Sequence, residues 1–491
     1  MNKLFKILPI VVLLVESFIS QPLWADTQGL EQRLDNLEAQ VAELKHELQQ
    51  QKEATAQEAT SPQVTSSSAT TPASAYVTAN AKDGFAFKSA DGNNSLKIGG
   101  YTQVLSRNFA ANNKEEQDQD SAILLRRARL IIQGTVAGKF DYFLQPEFGY
   151  NNNFSTITST STSSYSPALQ DAWIDYRYNS DLAIKAGKFK TPFDLENLQD
   201  TRNTDFVELG LTGNLSPQRD IGAQVSGNLY YDWITYAGGV FNGAADHENP
   251  YGGTSTAGYE DNNIGGVGRI FATPFKDTSL DPIKGFGIGF AASYGKENGT
   301  DIPTSYVTSG QAPFFSYNSN VQNDGPQLRT EPQAYYYYKS LGLLGEKIND
   351  QESLEFFSGN HVYRDRPNNK AFNVEGTYVL TGENASYLGV TPRNDFNPAA
   401  GHWGAFELAG RYGELKLDNS IFSENFANLN TSASSAKSWS TGLNWYLNPN
   451  AKVVFDFEQT KFERGATIAS GNNGDRKTEN LFLTMLQLSI G

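Results

Sequence analysis

The chain has 491 residues, no cysteine, two methionines and a formal net charge of −15. Without cysteine there can be no disulfide staple, thiolate metal site or cysteine nucleophile, and the acidic balance argues against nucleic acid, which needs a basic footprint. Forty-four glycines with 24 Tyr and 30 Phe suit a protein built of many strands and turns.

Residues 1–25 have the form of a secretory signal peptide. Lys3 and Lys6 give a positive start, Leu8–Leu14 is a short apolar core, and Leu23-Trp24-Ala25 ends on a small residue. A membrane anchor is the competing reading, but the run falls short of the ~20 residues a helical span needs, and Glu16 interrupts it. Residues 26–53 carry Leu30, Leu34, Leu37, Val41, Leu44 and Leu48 at alternating spacings of four and three. That is the a/d seam of a short coiled coil, too short to be stable alone and hence predicted to associate. A single amphipathic helix on the protein's own surface is the alternative. Residues 54–82 are Ala, Thr, Ser, Gln and Pro, the composition of a flexible linker.

From residue 83 to 491 the pattern changes to period two. Phe140, Tyr142, Leu144, Pro146 and Phe148 share one face, and Asp141, Phe143, Gln145 and Glu147 the other. Phe372, Val374, Gly376 and Tyr378 alternate likewise with Asn373, Glu375 and Thr377. About sixteen such segments recur, centred near Gly100, Ile131, Phe143, Trp173, Lys185, Val225, Tyr236, Gly268, Phe290, Tyr335, Leu343, Gly376, Leu408, Leu443, Phe455 and Leu486. Short connections such as 137–139 alternate with long ones such as 243–262 and 297–325. A soluble sandwich or propeller also has alternating strands, but gives no reason for alternating loop lengths. The predicted fold is all-β: a 16-stranded antiparallel transmembrane β-barrel, preceded by the N-terminal coiled-coil helix.

In such a barrel the polar register faces the lumen. Arg127 and Arg129 share a register about 7 Å apart, a spacing at which two guanidiniums can grip an oxyanion. Pairing with Asp141 or Asp171 on neighbouring strands is the equally weighted alternative. Pro192 ends the fifth strand and opens a third long loop, 191–217, expected to fold inward as a constriction. Lys188, Lys190 and Arg202 would bring it positive charge, against a larger number of acids. Strict alternation places Lys188 with Ile184 on the lipid register unless a bulge resets it. His46, His247, His361 and His402 form no pair with metal spacing, and Gly-x-Ser-x-Gly is missing, so neither catalysis, cofactor nor metal is expected.

The stretches Leu125-Arg-Arg-Ala-Arg-Leu130, Gln170-Asp-Ala-Trp-Ile-Asp-Tyr176, Gly187-Lys-Phe-Lys-Thr-Pro-Phe193, Gln218–Gly227, Pro332–Tyr338 and Tyr378–Gly382, in this order, resemble the phosphate-selective porin O and P family of Gram-negative outer membranes. The resemblance implies a trimeric sixteen-stranded barrel with an inward third loop. It implies that Arg126 and Arg127 correspond to paired lumen arginines, Asp171 to an acid near the constriction, and Lys188 to a basic residue ending the fifth strand. Two departures stand out. Asn197, not a lysine, follows Leu195-Glu196, and the last residues are Leu488-Ser-Ile-Gly491 rather than a terminal Phe.

Taken together, these features predict a homotrimeric porin embedded in outer-membrane lipid, passing small solutes with phosphate or other anions foremost. A general or cation-leaning porin is the first alternative. The second is an envelope tether, in which the coiled coil reaches peptidoglycan or a periplasmic partner.

Overall fold

The computed structural model describes residues 76–80, 84–110, 121–149, 168–243, 264–299, 305–465 and 477–491. The expected signal peptide, the coiled coil and most of the linker lie outside the described residues.

Sixteen strands form the wall: β1 Ser95–Ala110, β2 Ala122–Val136, β3 Phe140–Glu147, β4 Ala168–Asn179, β5 Leu182–Lys190, β6 Arg219–Leu229, β7 Ile234–Phe241 and β8 Gly265–Ala272. The second half is β9 Phe286–Gly299, β10 Val321–Tyr338, β11 Leu341–Gln351, β12 Asn368–Val379, β13 Ala405–Lys416, β14 Ser435–Asn448, β15 Ala451–Glu463 and β16 Thr478–Ile490. Each pairs antiparallel with the next, and β16 closes on β1, from Asn480 opposite Ala110 to Ile490 opposite Gly100. Each of the sixteen centres expected from alternation falls in a different strand. The pattern works because closure satisfies every backbone group of the wall internally, leaving side-chain parity to separate lipid from lumen. Ile123 is 79% exposed and Ile174 60%, whereas Glu331 and Asn444 are fully buried. A water-soluble domain would show the reverse. Tyr178, Tyr230, Trp233 and Trp403 are exposed near the short-turn end, where an interfacial aromatic belt belongs.

Three details depart from expectation. Tyr76–Asn80, assigned to the linker, is a strand paired with Gly84–Lys88, and that hairpin continues onto the start of β1. Leu354–Ser358 and His361–Asp365, between the expected strand centres at Leu343 and Gly376, form a hairpin that extends the sheet beyond β10. Loop lengths also break the alternation. The turn end has short connections at 137–139, 180–181, 230–233, 339–340 and 449–450, but long ones at 273–285 and 380–404.

Candidate functional site: the divided lumen

The third loop, 191–218, runs from β5 to β6 and folds into the barrel. It carries a one-turn helix, Leu195–Leu198, capped by Asp194, whose side chain accepts from the Asn197 N–H at 2.8 Å. A helix start leaves N–H groups unsatisfied. Here the wall supplies the acceptors. Glu331 on β10 takes the N–H groups of Asp194 and Leu195 at 2.7 and 3.1 Å. Glu346 on β11 takes the N–H of Glu196 at 3.2 Å and the Thr212 hydroxyl at 2.8 Å.

The same contact continues around the wall. Arg411 on β13 donates to Glu196 at 2.7 Å and to the Glu208 carbonyl at 2.9 Å. Asp456 on β15 accepts from the Val207 N–H, and Lys452 donates to the Thr204 carbonyl, both at 2.9 Å. Much of the polar lumen register of β10–β15 is therefore bonded to the third loop's backbone and side chains. Above, Asn214 holds Val307 through both its side-chain amide atoms, at 2.8 and 3.0 Å. Phe314, Phe315 and Phe426 from two further loops are buried in one apolar cluster with Leu215. This arc of the barrel is filled.

The opposite arc, β1–β8, faces a cavity of about 400 Å³ bounded across the lumen by Leu198–Thr201 of the loop. Its charged lining is Arg129, Lys185, Lys190, Arg219 and Arg269 against Asp171 and Asp200. Lys185 lies over the Trp173 ring at 4.3 Å, with Asp175 opposite it in the strand ladder. Arg269 donates to Gln333 at 2.8 Å.

The predicted site residues divide between these regions. The ladder pairs Gln103 with Arg127 and Val104 with Leu125, so Arg126 is an extra residue at a bulge. That bulge turns both neighbouring arginines inward, which regular alternation forbids. They do not line the open cavity. Arg126 forks onto Glu208 of the third loop at 2.5 and 2.9 Å, and Arg127 reaches the same carboxylate at 3.1 Å and Gln103 at 2.8 Å. Burial alone would raise the pKa of Glu208, but the two guanidiniums outweigh it and hold the carboxyl below the ordinary glutamate range.

Arg129 does line the cavity, ion-paired to Glu147 at 2.6 Å and donating to the Tyr101 hydroxyl at 2.7 Å. The arginine partners are thus Glu208 and Glu147, not Asp141 or Asp171. Asp171 lines the cavity and pairs with Arg219 at 3.1 Å. Lys190 donates to the carbonyls of Asn197 and Gln199 at 2.5 and 2.6 Å, holding the loop beside the cavity. Arg202 pairs with Asp200 at 2.7 Å and donates to the Gly491 carbonyl at 2.6 Å, tying the loop to the end of β16. Lys188 is a correction. It sits opposite Ile221, whose side chain is on the exposed outer face, and the Gly187 irregularity (φ 134°) does not bring it into the cavity lining.

Sequence reasoning missed Lys185, Arg219 and Arg269 as lining cations. Lys185 was discoverable, since it directly follows the outward Ile184 and so shares the opposite parity with Gly187 and Phe189. Arg219 stands at a strand end, where parity gives no guidance.

A closed sixteen-strand barrel, apolar outside and charged inside, with a loop folded across its lumen, is an outer-membrane porin. The family model for phosphate-selective porin O and P matches residues 96–490, and the chain belongs to that family. It is 24% identical to Porin O of Pseudomonas aeruginosa over 427 residues, covering 83% of this chain and 91% of that protein. Its fold is similar to that of the outer membrane channel DcaP of Acinetobacter baumannii. That match has a TM-score of 0.51 and 11% identity, and covers 82% of this chain and 99% of that one.

Proposed function

We propose that this porin conducts small anions, phosphate among them, by passive diffusion through the β1–β8 side of its lumen. The observation that supports this is the charge of the open cavity, with five cationic side chains against two carboxylates. A net charge of −15 does not oppose it, because permeant ions respond to the potential focused at the narrowest point rather than to the total. Lys185, Lys190 and Arg219 are the groups proposed to meet the anion. The family's name points the same way, while Asn197 after Leu195-Glu196 argues for weaker phosphate binding. Among the described residues, the arrangement is that of a channel and not of a nucleophile–base constellation.

The test is phosphate block of chloride current. Lys185→Gln, which removes a lining charge without touching the third loop's bonds, is expected to weaken block about fivefold, the equivalent of ~1 kcal/mol. Unchanged block would remove Lys185 from the path.

We propose further that the chain works as a trimer with the β3–β8 arc facing its neighbours. β3, β7 and β8 have eight residues each. At ~3.4 Å per residue and a ~40° tilt they cover roughly 21 Å, short of the ~25 Å apolar band. A neighbouring subunit would cover that deficit. Native mass measurement in detergent checks this, and a monomer mass under conditions that keep the barrel folded would refute it.

A further inference from the structure

Porin function needs only short turns at the periplasmic end, yet the β12–β13 connection, 380–404, is long and folded back into the barrel. Its tip is built in. Ala385 and Val390 are buried against Val379, Ala405 and Tyr446, and the Ala385 N–H donates to the Lys339 carbonyl at 2.7 Å. From this base Tyr387 points up to the third loop. Its hydroxyl donates to the Leu195 carbonyl at 2.6 Å, and its own carbonyl accepts from Gln199 Nε2 at 3.1 Å. The ring stacks on Tyr335 with centroids 5.4 Å apart, beside the buried Leu195, Phe271 and Leu344. Gly389, at φ 90°, lies so close to Asn203 that an added Cβ would stand 3.2 Å from the Asn203 Cβ.

We infer that Tyr387, on the 380–404 connection, is the positioning residue through which the periplasmic end of the barrel holds the crossing segment 195–203. The third loop crosses the lumen as a span tied at both ends to β5 and β6. Wall bonds fix its 204–212 part and the start of its helix. The stretch bounding the open cavity, Leu198–Thr201, has Lys190 on one side and the Tyr387 loop beneath it. Replacing Tyr387 by Ala removes the hydroxyl bond to Leu195 and the stacked ring but keeps the carbonyl that accepts from Gln199, so the crossing segment loses part of its support from below and samples positions that widen the channel. The inference stands on geometry and is independent of the sign of ion selectivity.

The experiment is single-channel recording of the full chain in planar bilayers, with folding checked by the heat-dependent shift of the barrel on a gel. Tyr387→Ala is expected to raise unitary conductance about 1.5-fold or more and to add open-channel flicker. Tyr387→Phe, which loses only the hydroxyl bond and keeps the stacking ring, is expected to keep the mean conductance but show more flicker than the wild type. A merely structural role for Tyr387 would show as loss of the folded barrel on the gel, whereas a positioning role leaves the barrel folded and moves the recordings alone. Wild-type traces from both Tyr387 variants would overturn the inference. Should Tyr387→Ala fail to fold, wild-type flicker in Tyr387→Phe overturns it alone.

Discussion

The two arcs of this barrel have the same strand chemistry and opposite fates. Along β10–β15 the lumen register is rich in carboxylates, Glu331, Glu346, Glu375, Asp456 and Glu458, and these are buried against inward loops and the wall, not open to water. Several of them accept N–H groups of the third loop, while Arg411 and Lys452 take its carbonyls and acids. Along β1–β8 the register is left open and its balance is cationic. Counting wall charges around the whole ring therefore misleads. A carboxylate that caps a buried loop contributes to the position of the constriction, whereas a lysine on the open side contributes to what passes it.

The most severe way to break the filled arc is to remove Arg411. It bridges Glu196 at 2.7 Å and Glu458 at 3.4 Å with 4% of its side chain exposed. Arg411→Ala leaves buried carboxylates without their counter-charge, a loss of about 3–5 kcal/mol. The temperature at which the barrel unfolds on a gel should drop clearly, with the third loop becoming accessible to protease. An unchanged transition would mean the loop is not held by this pair.

A gentler probe is pH at Glu208. Its carboxyl is held below the ordinary glutamate range by Arg126 and Arg127, and Arg411 contacts its backbone carbonyl. For a carboxyl with a depressed folded pKa, the stabilisation is complete above the unfolded value near ~4.3 and is lost as pH falls through the folded value. Channel noise is expected to rise below about pH 4 as this carboxylate takes a proton, and Glu208→Gln is expected to show no such step. A step below about pH 4 that survives Glu208→Gln would show that another group causes it.

Legibility in the sequence divided along the same line. Alternation alone located all sixteen strands, because lipid on one side and polar lumen on the other enforce side-chain parity. The inward third loop was signalled by Pro192 and by the resemblance. The partners inside were not readable. Glu208 lies some eighty positions from the arginines it joins, and a bulge at Arg126 exists only relative to the neighbouring strand's register. Lys188 shows the converse. Parity placed it outside with Ile184, the constriction reading counted it among the lumen cations, and the ladder agrees with parity. The pattern did not single out the 380–404 connection, and nothing in its composition announced that Tyr387 reaches the third loop.

The measurement that tests the account most directly is the reversal potential of the wild-type channel in a planar bilayer across a KCl gradient. If the open arc governs permeation, the potential will have the sign of chloride selectivity despite the chain's net negative charge. A cation-selective potential would contradict the account, and would mean that the acids of the filled arc, or those of the outer loops, reach the ions after all.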